Sequence, residues 1–145
     1  MDAGAVTRAR GYRYLEHTAD VGIEAWGPDL RAAFEESAMA LAALMVDPAT
    51  VEDREEWRIA IDGGDPGELL VRWLSELIAL VDSAGCAFRR FAIDVLDGRR
   101  LEARAWGERI DPARHHPRTA VKAATYHALA VDAGPPARVT VILDL

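Results

Sequence analysis

The chain has 145 residues, with 24 acidic and 17 basic side chains and a formal net charge of −7. A negative field repels polyphosphate, which disfavours direct, sequence-independent binding of RNA or DNA. The single cysteine excludes an internal disulfide and a zinc site built from cysteines. No long uncharged apolar run and no signal-like N-terminus is present, so we expect a cytoplasmic protein without membrane contact.

The length suits one domain with one hydrophobic core. Residues 1–10 show no hydrophobic periodicity and are expected to form a disordered tail, followed by a single domain at residues 11–145. Tyr12–Leu15 and Val21–Trp26 have the composition of strands. The residues between them, from His17 to Asp20, are therefore placed at a turn.

Two helices are predicted from apolar residues that recur at three- and four-residue steps. The first runs from Pro28 to Val46 and the second from Pro66 to Ala84. The second has the stronger end signals, because Asp65 can cap its N-terminus and Gly85 can close its C-terminus. Its broad apolar stripe requires a sheet to pack against.

The remaining segments alternate between apolar and polar residues, as strands do. Strands are predicted around Ile59 and on both sides of a hairpin turn at Asp97-Gly98. The terminal stretch "RVTVILDL" is nearly continuous in apolar residues, which favours a strand near the middle of a sheet. Residues 109–118 carry two prolines and are predicted to be an exposed loop, while residues 119–131 fit a strand or a helix, with the strand favoured.

This order of elements predicts an α+β fold, a mostly antiparallel β-sheet sandwich with two amphipathic helices packed on one face. The segments "IEAWG" (23–27) and "ARAWGE" (103–108) resemble each other. We interpret both as strand ends that leave through a glycine, because two short matches do not establish a repeat.

The turn before the second strand concentrates chemically capable side chains. One interpretation is structural, in which Thr18 and Asp20 hydrogen-bond to nearby backbone amides. The other is a site for a hard cation, because aspartate oxygens suit magnesium, manganese or calcium. One aspartate rarely suffices, and a central C-terminal strand could deliver Asp144 and Leu145 beside it. Repulsion among clustered carboxylates would then favour cation binding.

Other candidate residues give weaker signals. The adjacent imidazoles of His115 and His116 point apart, so a solvated loop is expected rather than a metal site. Lys122 lies among small apolar residues and is either an edge residue or a functional donor. His127 is expected to be half-buried, and Cys86 to be a small buried apolar side chain.

Six segments together resemble the archease family, in the order in which that family has them, and they span residues 12–145. They are "YLEHTADVGIEAWG", "AFEESAMAL", "LLVRWLSELI", "WGE", "VKAATYH" and "VILDL". The resemblance implies a small α+β protein that is a non-catalytic accessory factor of the RtcB-type RNA ligase in tRNA splicing and RNA repair. It implies help with ligase guanylylation and repeated turnover, and it also suggests chaperone-like behaviour.

The resemblance also implies the site residues. Asp20, Asp144 and Leu145, the last through its main chain or terminus, match the family's ligands for a divalent ion, which would be calcium, magnesium or manganese. Lys122 matches the family's essential lysine, and His17 lies in the same H-T-A-D element. RNA would be contacted only through the ligase. The residues alone leave open a free-standing metal-dependent hydrolase and a general chaperone-like binding protein.

Overall fold

The computed structural model describes residues 9–17 and 20–145, except for the side chain of His17. Most of the predicted tail, residues 1–8, and two residues of the predicted turn, Thr18 and Ala19, lie outside the described residues. The guanidinium group of Arg10 donates hydrogen bonds to Glu35 at 3.0 Å and to Glu36 at 2.8 Å. The end of the predicted tail is therefore held against the first long helix.

The described part of the chain contains seven strands, three α-helices and one 3₁₀ turn. The strands are β1 (Gly11–His17), β2 (Asp20–Gly27), β3 (Glu55–Asp62), β4 (Cys86–Leu96), β5 (Arg100–Arg109), β6 (Ala123–Asp132) and β7 (Ala137–Asp144). The helices are α1 (Leu30–Met45), α2 (Pro66–Ala84) and the short α3 (Pro112–His115), and the 3₁₀ turn is Pro48–Thr50.

The strands form two antiparallel sheets, with the orders β1-β2-β7-β6 and β3-β5-β4. Helix α1 contacts β1, β2 and β7 of the first sheet and β4 of the second, and α2 contacts β6 and all three strands of the second sheet. Side chains from both sheets and both helices share one core. The predicted α+β class is confirmed. The strands form two sheets where one was expected, because the alternation of apolar and polar residues identifies a strand but not the strand it pairs with.

The predicted helix ends are nearly right. Asp65 caps α2 by accepting a hydrogen bond from a first-turn backbone N–H at 2.9 Å, and Gly85 ends the helix in the left-handed region with φ 62°. Asp29 caps α1 in the same way, also at 2.9 Å. Helix α1 therefore begins at Leu30 and not at Pro28, because an N-cap residue must keep an extended backbone.

The buried side chain of Trp73 joins three elements of the core. Its indole N–H donates to the carbonyl oxygen of Phe34 in α1 at 3.0 Å. Its ring packs edge-on against Phe91 of β4, with the ring centroids 5.8 Å apart. A buried indole needs a partner for its N–H, and this contact satisfies it while fixing α2 against α1.

Residues 123–132 form a strand, as favoured, but the strand is interrupted. Its register with β7 moves from Thr125 opposite Ile142 to Ala130 opposite Thr140, so extra residues of β6 bulge out of the ladder. His127 lies in this bulge and is exposed, which makes the expectation of a half-buried histidine wrong. Simple alternation of side chains fails inside a bulge.

Cys86 is 2 % exposed, and the expectation of a buried apolar side chain is confirmed.

The two A-W-G segments are sites of close approach: a Cβ at Gly27 would press on Ala32 of α1, and a Cβ at Gly107 would overlap the carbonyl oxygen of Ala87 in β4. Gly27 is the last residue of β2, as predicted. Gly107 lies inside β5. A glycine is required there because β4 packs too closely for a side chain, and it does not mark the end of the strand.

We expect Gly107→Ala to lower the free energy of unfolding by about 3 kcal/mol, because the added methyl group meets rigid backbone of the neighbouring strand. Gly98→Ala is the matched control, since a Cβ at Gly98 has no atom within 4 Å and should change the free energy by no more than about 0.5 kcal/mol. Urea unfolding at neutral pH measures both. Equal values for the two variants would contradict this account of Gly107.

Candidate functional site

The two ends of the domain meet in the four-stranded sheet. Strand β2 pairs with β7 along its whole length, and Asp20 stands directly opposite Asp144. Opposite residues of an antiparallel pair project from the same face, with Cβ atoms about 4.5–5.5 Å apart. The alternating neighbours Ile23 and Val141 are buried in the core. Asp20 and Asp144 therefore share the face that points away from the helices.

The other predicted site residues come to the same end of the sheet. The backbone N–H of Lys122 donates to the carbonyl oxygen of Asp144 at 2.9 Å, and the Lys122 side chain is exposed. His17 stands opposite Asp20 in the register of β1 and β2, and its side chain lies outside the described residues. Leu145 continues β7 and lines an open cleft together with Asp20.

This cleft has a volume of about 700 Å³ and a mixed lining. Leu44 at the end of α1, Thr119 and Tyr14 form part of its wall. The Tyr14 hydroxyl donates to the carbonyl oxygen of Ala40 at 2.6 Å, and burial raises the pKa of this phenol. Tyr14 therefore acts as a neutral wall that ties β1 to α1, and not as an acid or base.

The donors at this end of the sheet are oxygen atoms. Two carboxylates on one face, at the end of the sheet where Leu145 also lies, fit the preference of calcium, magnesium and manganese for hard oxygen ligands. Among the described side chains, which leave out that of His17, no group of three or more His, Cys, Asp or Glu residues could hold a metal ion. A cation here would therefore complete its coordination with main-chain oxygens, water or side chains outside the described ones.

The polypeptide that leads to Lys122 is anchored by a buried cluster that sequence analysis missed. Glu108 is 4 % exposed, and both of its carboxylate oxygens accept hydrogen bonds from the guanidinium group of Arg114. The backbone N–H of Glu52 donates to the same carboxylate at 2.7 Å. These bonds join the end of β5 to the connection before β3.

His115 completes this cluster. Its Nε2 lies 3.3 Å from Glu108, and its Nδ1 accepts a hydrogen bond from the backbone N–H of Asp111 at 2.8 Å, so the ring carries its proton on Nε2. The predicted solvated loop at 109–118 is therefore wrong for His115, which is buried, although His116 is exposed. Asp111 followed by Pro112 was the available signal, since this pair starts a helix.

After α3 the chain passes over the C-terminal end of α1. The N–H groups of Arg118 and Thr119 donate to the carbonyl oxygens of Met45 and Leu44 at 2.8 and 3.1 Å. These carbonyls belong to the last turn of the helix and have no partner within it. The contact fixes the segment 117–121, which ends immediately before Lys122.

A model of the Archease protein family matches residues 12–145. The chain belongs to the archease family. It is 41 % identical over 122 residues to an archease of Sulfurisphaera tokodaii, covering 83 % of this chain and 88 % of that relative. It is 38 % identical over 130 residues to an archease of Pyrococcus abyssi, covering 88 % and 92 %.

Two solved structures resemble the fold. The solution structure of protein 1598 of Methanobacterium thermoautotrophicum has a TM-score of 0.76 at 34 % identity and covers 93 % of this chain and 99 % of that one. A crystal structure from Thermotoga maritima, described as an archease and possible chaperone, has a TM-score of 0.61 at 23 % identity, with 92 % and 96 % covered. The second likeness concerns the fold alone. None of the helices in the described residues is long and apolar enough to cross a membrane.

The Glu108 cluster predicts how stability depends on pH. Hydrogen bonds from Arg114 lower the pKa of Glu108 from 4.5 to about 2. The charged carboxylate therefore contributes its full stability above pH 4.5 and loses it as the pH falls toward 2. We expect Glu108→Gln to lower the free energy of unfolding by about 2 kcal/mol at neutral pH, and the difference from wild type to vanish at the acidic end of this window.

Urea unfolding measured across this range of pH tests the prediction. Glu76→Gln is the control, because Glu76 is exposed on α2 and should leave the profile unchanged. A Glu108→Gln deficit that stayed constant down to the acidic limit would show that the charge of Glu108 is not what stabilises the cluster.

Proposed function

We propose that the protein is a non-catalytic accessory factor of an RtcB-type RNA ligase, which promotes ligase guanylylation and repeated turnover in tRNA splicing and RNA repair. The observation that carries the proposal is the position of Asp20 opposite Asp144 at one end of the sheet, with Lys122 hydrogen-bonded through its backbone to the same strand. Membership of the archease family is consistent with this role.

In this proposal the carboxylates of Asp20 and Asp144 and the main-chain oxygens of Leu145 hold a divalent cation. Calcium, magnesium and manganese are the candidates, because each prefers oxygen ligands. The bound cation offsets the repulsion between the two carboxylates. The β-sheet keeps both on one face, so little reorganisation accompanies binding.

Electrostatics favours an encounter with such a ligase. An active site that handles RNA and a guanine nucleotide needs basic groups and metal ions, and this chain has a net charge of −7 with carboxylates at the proposed contact point. Opposite potentials steer two proteins together and orient them. RNA would then be contacted by the ligase and not by this acidic chain.

Lys122 has a distinctive chemistry in this chain. It is the only lysine, and the other 16 basic residues are arginines. An ammonium group is a compact point charge with three rotatable donors, whereas a guanidinium group is a flat fork. The exposed Lys122, whose backbone N–H bonds to Asp144, is therefore proposed as a donor whose compact shape matters as well as its charge.

A general chaperone would bind exposed apolar segments through an apolar surface of its own. In the described part of the chain, the exposed large apolar side chains are Tyr14 and Tyr126, at 41 and 60 %. Two separated side chains do not make a contiguous apolar patch. The described surface therefore favours a specific partner over general binding of unfolded chains.

We expect Asp20→Ala and Asp144→Ala to lower stimulation of the ligase at least about tenfold, because each removes an oxygen donor from the acidic pair. The measurement is RNA ligation with the ligase in substoichiometric amount, with and without each variant. In the absence of divalent cations, thermal unfolding should stay close to wild type. Glu76→Ala is the matched acidic control and should stimulate fully, since Glu76 is exposed on α2.

Lys122→Arg, tested in the same assay, should stimulate less than wild type although its charge is unchanged. Full stimulation by Asp20→Ala would mean that the acidic pair is not the functional surface. Release of phosphate from nucleotides by the isolated wild-type protein, without any ligase, would favour the hydrolase instead.

A cation at the acidic pair should stabilise the fold. At a free concentration of about one hundred times its dissociation constant, it should raise the free energy of unfolding by about 2.7 kcal/mol. Calcium, magnesium and manganese can be compared by thermal unfolding before and after addition of a chelator. Asp144→Ala should remove the effect, and an equal stabilisation of this variant would place the cation elsewhere.

A further inference from the structure

A second cavity lies beside the candidate site and serves none of the groups assigned so far. It has a volume of about 230 Å³ and lies between the C-terminal ends of α1 and α2, the start of β4 and the segment 117–121. Most of its lining is apolar and includes Met45, Val81, Phe88, Ile110 and Val121. The charged residues Asp82 and Arg118, both exposed, also line it and mark its opening to solvent.

This pocket and the cleft beside Asp20 share a wall. Thr119 lines both of them, and the segment 117–121 separates them before the chain reaches Lys122. The hydrogen bonds from this segment to the end of α1 hold the wall in place. A partner that occupies the cleft beside Asp20 therefore also lies next to the segment that walls the pocket.

The size and chemistry of the pocket restrict what it can hold. Sites for cofactors and drug-sized ligands usually have about 300–1,000 Å³ and several convergent polar groups. This smaller, mainly apolar pocket suits one large apolar side chain rather than a phosphate group, because the basic residue in its lining, Arg118, is already paired with Asp47. Cys86 also lines the pocket, but burial raises the pKa of its thiol to about 11, so a covalent ligand is disfavoured.

Protein interfaces are commonly anchored by one apolar side chain that fills a pocket inside a polar rim. The net charge of −7 and the neighbouring carboxylates make a basic partner surface the complementary one. We propose that this pocket receives a single large apolar side chain from a basic surface of the protein partner. The inference rests on the proposed function, in which that partner is the RNA ligase.

In this proposal, binding of the partner and its activation depend on different residues. The pocket sets the affinity for the partner, while the acidic pair and Lys122 act on the partner once it is bound. Closing the pocket should change the concentration of this protein that the ligase needs. Removing Asp20 should change the stimulation reached at saturation.

The test uses Ala120→Trp, which places an indole ring at the pocket. Ala120 is exposed and lines the pocket, so the larger side chain can fill it without displacing core residues. We expect the concentration for half-maximal stimulation of ligation to rise about tenfold, with maximal stimulation retained. Ala60→Trp on the outer face of β3 is the matched control and should behave as wild type.

Free indole provides a second measurement that does not depend on folding of the variant. As a competitor for the pocket, it should raise the half-maximal concentration of the wild-type protein and of Ala60→Trp, but not that of Ala120→Trp. If circular dichroism shows that Ala120→Trp does not fold, the inference is tested by indole competition on the wild-type protein.

The outcomes separate the two proposals. An unchanged half-maximal concentration in Ala120→Trp, or no competition by indole, overturns the pocket inference and leaves the accessory function standing. The inference is also overturned if Ala120→Trp lowers the maximal stimulation but leaves the half-maximal concentration unchanged. The segment 117–121 would then act through Lys122. A wild-type protein that never stimulates ligation overturns the proposed function, and the pocket inference falls with it.

Discussion

The antiparallel pairing of β2 with β7 is the interaction on which the candidate site depends. It joins residues near the start of the domain to its last strand and sets Asp20 against Asp144. A slip of one residue would send one of the two carboxylates to the opposite face of the sheet. Burial on the inner face opposes such a slip, since Ile23 and Val141 pair directly and are fully buried.

The outer face of the same sheet supports this register with charge. Glu24 of β2 accepts hydrogen bonds from Arg13 of β1 at 3.0 Å and from Arg138 of β7 at 2.9 Å. One carboxylate therefore links three adjacent strands. Exposed ion pairs contribute little individually, but cross-strand partners of opposite sign favour the observed pairing over a shifted one. Both faces of the sheet thus specify where the acidic pair forms.

The segment before Lys122 depends on a different kind of constraint. Glu108, Arg114 and His115 form a buried polar cluster whose hydrogen bonds are all made locally or to the connection before β3. Replacing such a cluster as a whole by apolar residues often costs little, whereas removing one partner leaves a buried group unpaired and is costly. Here the cluster gives the segment a defined path from β5 to the end of α1, and from there to Lys122, whose backbone N–H bonds to Asp144 of β7. The candidate site is therefore assembled from three parts of the chain that are distant in sequence.

Local chemistry was enough to predict several elements. The cap at Asp65 and the left-handed closure at Gly85 bound α2 through contacts within one turn of the helix, and the apolar run of β7 predicted its central place. The resemblance to the family pointed to Asp20 and Asp144 as partners. The sequence also contained a helix-start signal at Asp111, but the two prolines that follow it suggested a loop.

What the tertiary structure decided involves contacts between distant residues. Three features could not be predicted from the hydrophobic periodicity of any one segment. They are the division into two sheets, the burial of His115 against Glu108 and the exposure of His127 in the β6 bulge. The bond from Glu52 to Glu108 spans 56 residues, and the pocket beside Thr119 exists only because four elements converge there. A sequence determines the turns and faces of its own segments, because those depend on near neighbours; which segments meet is decided by packing of the whole core.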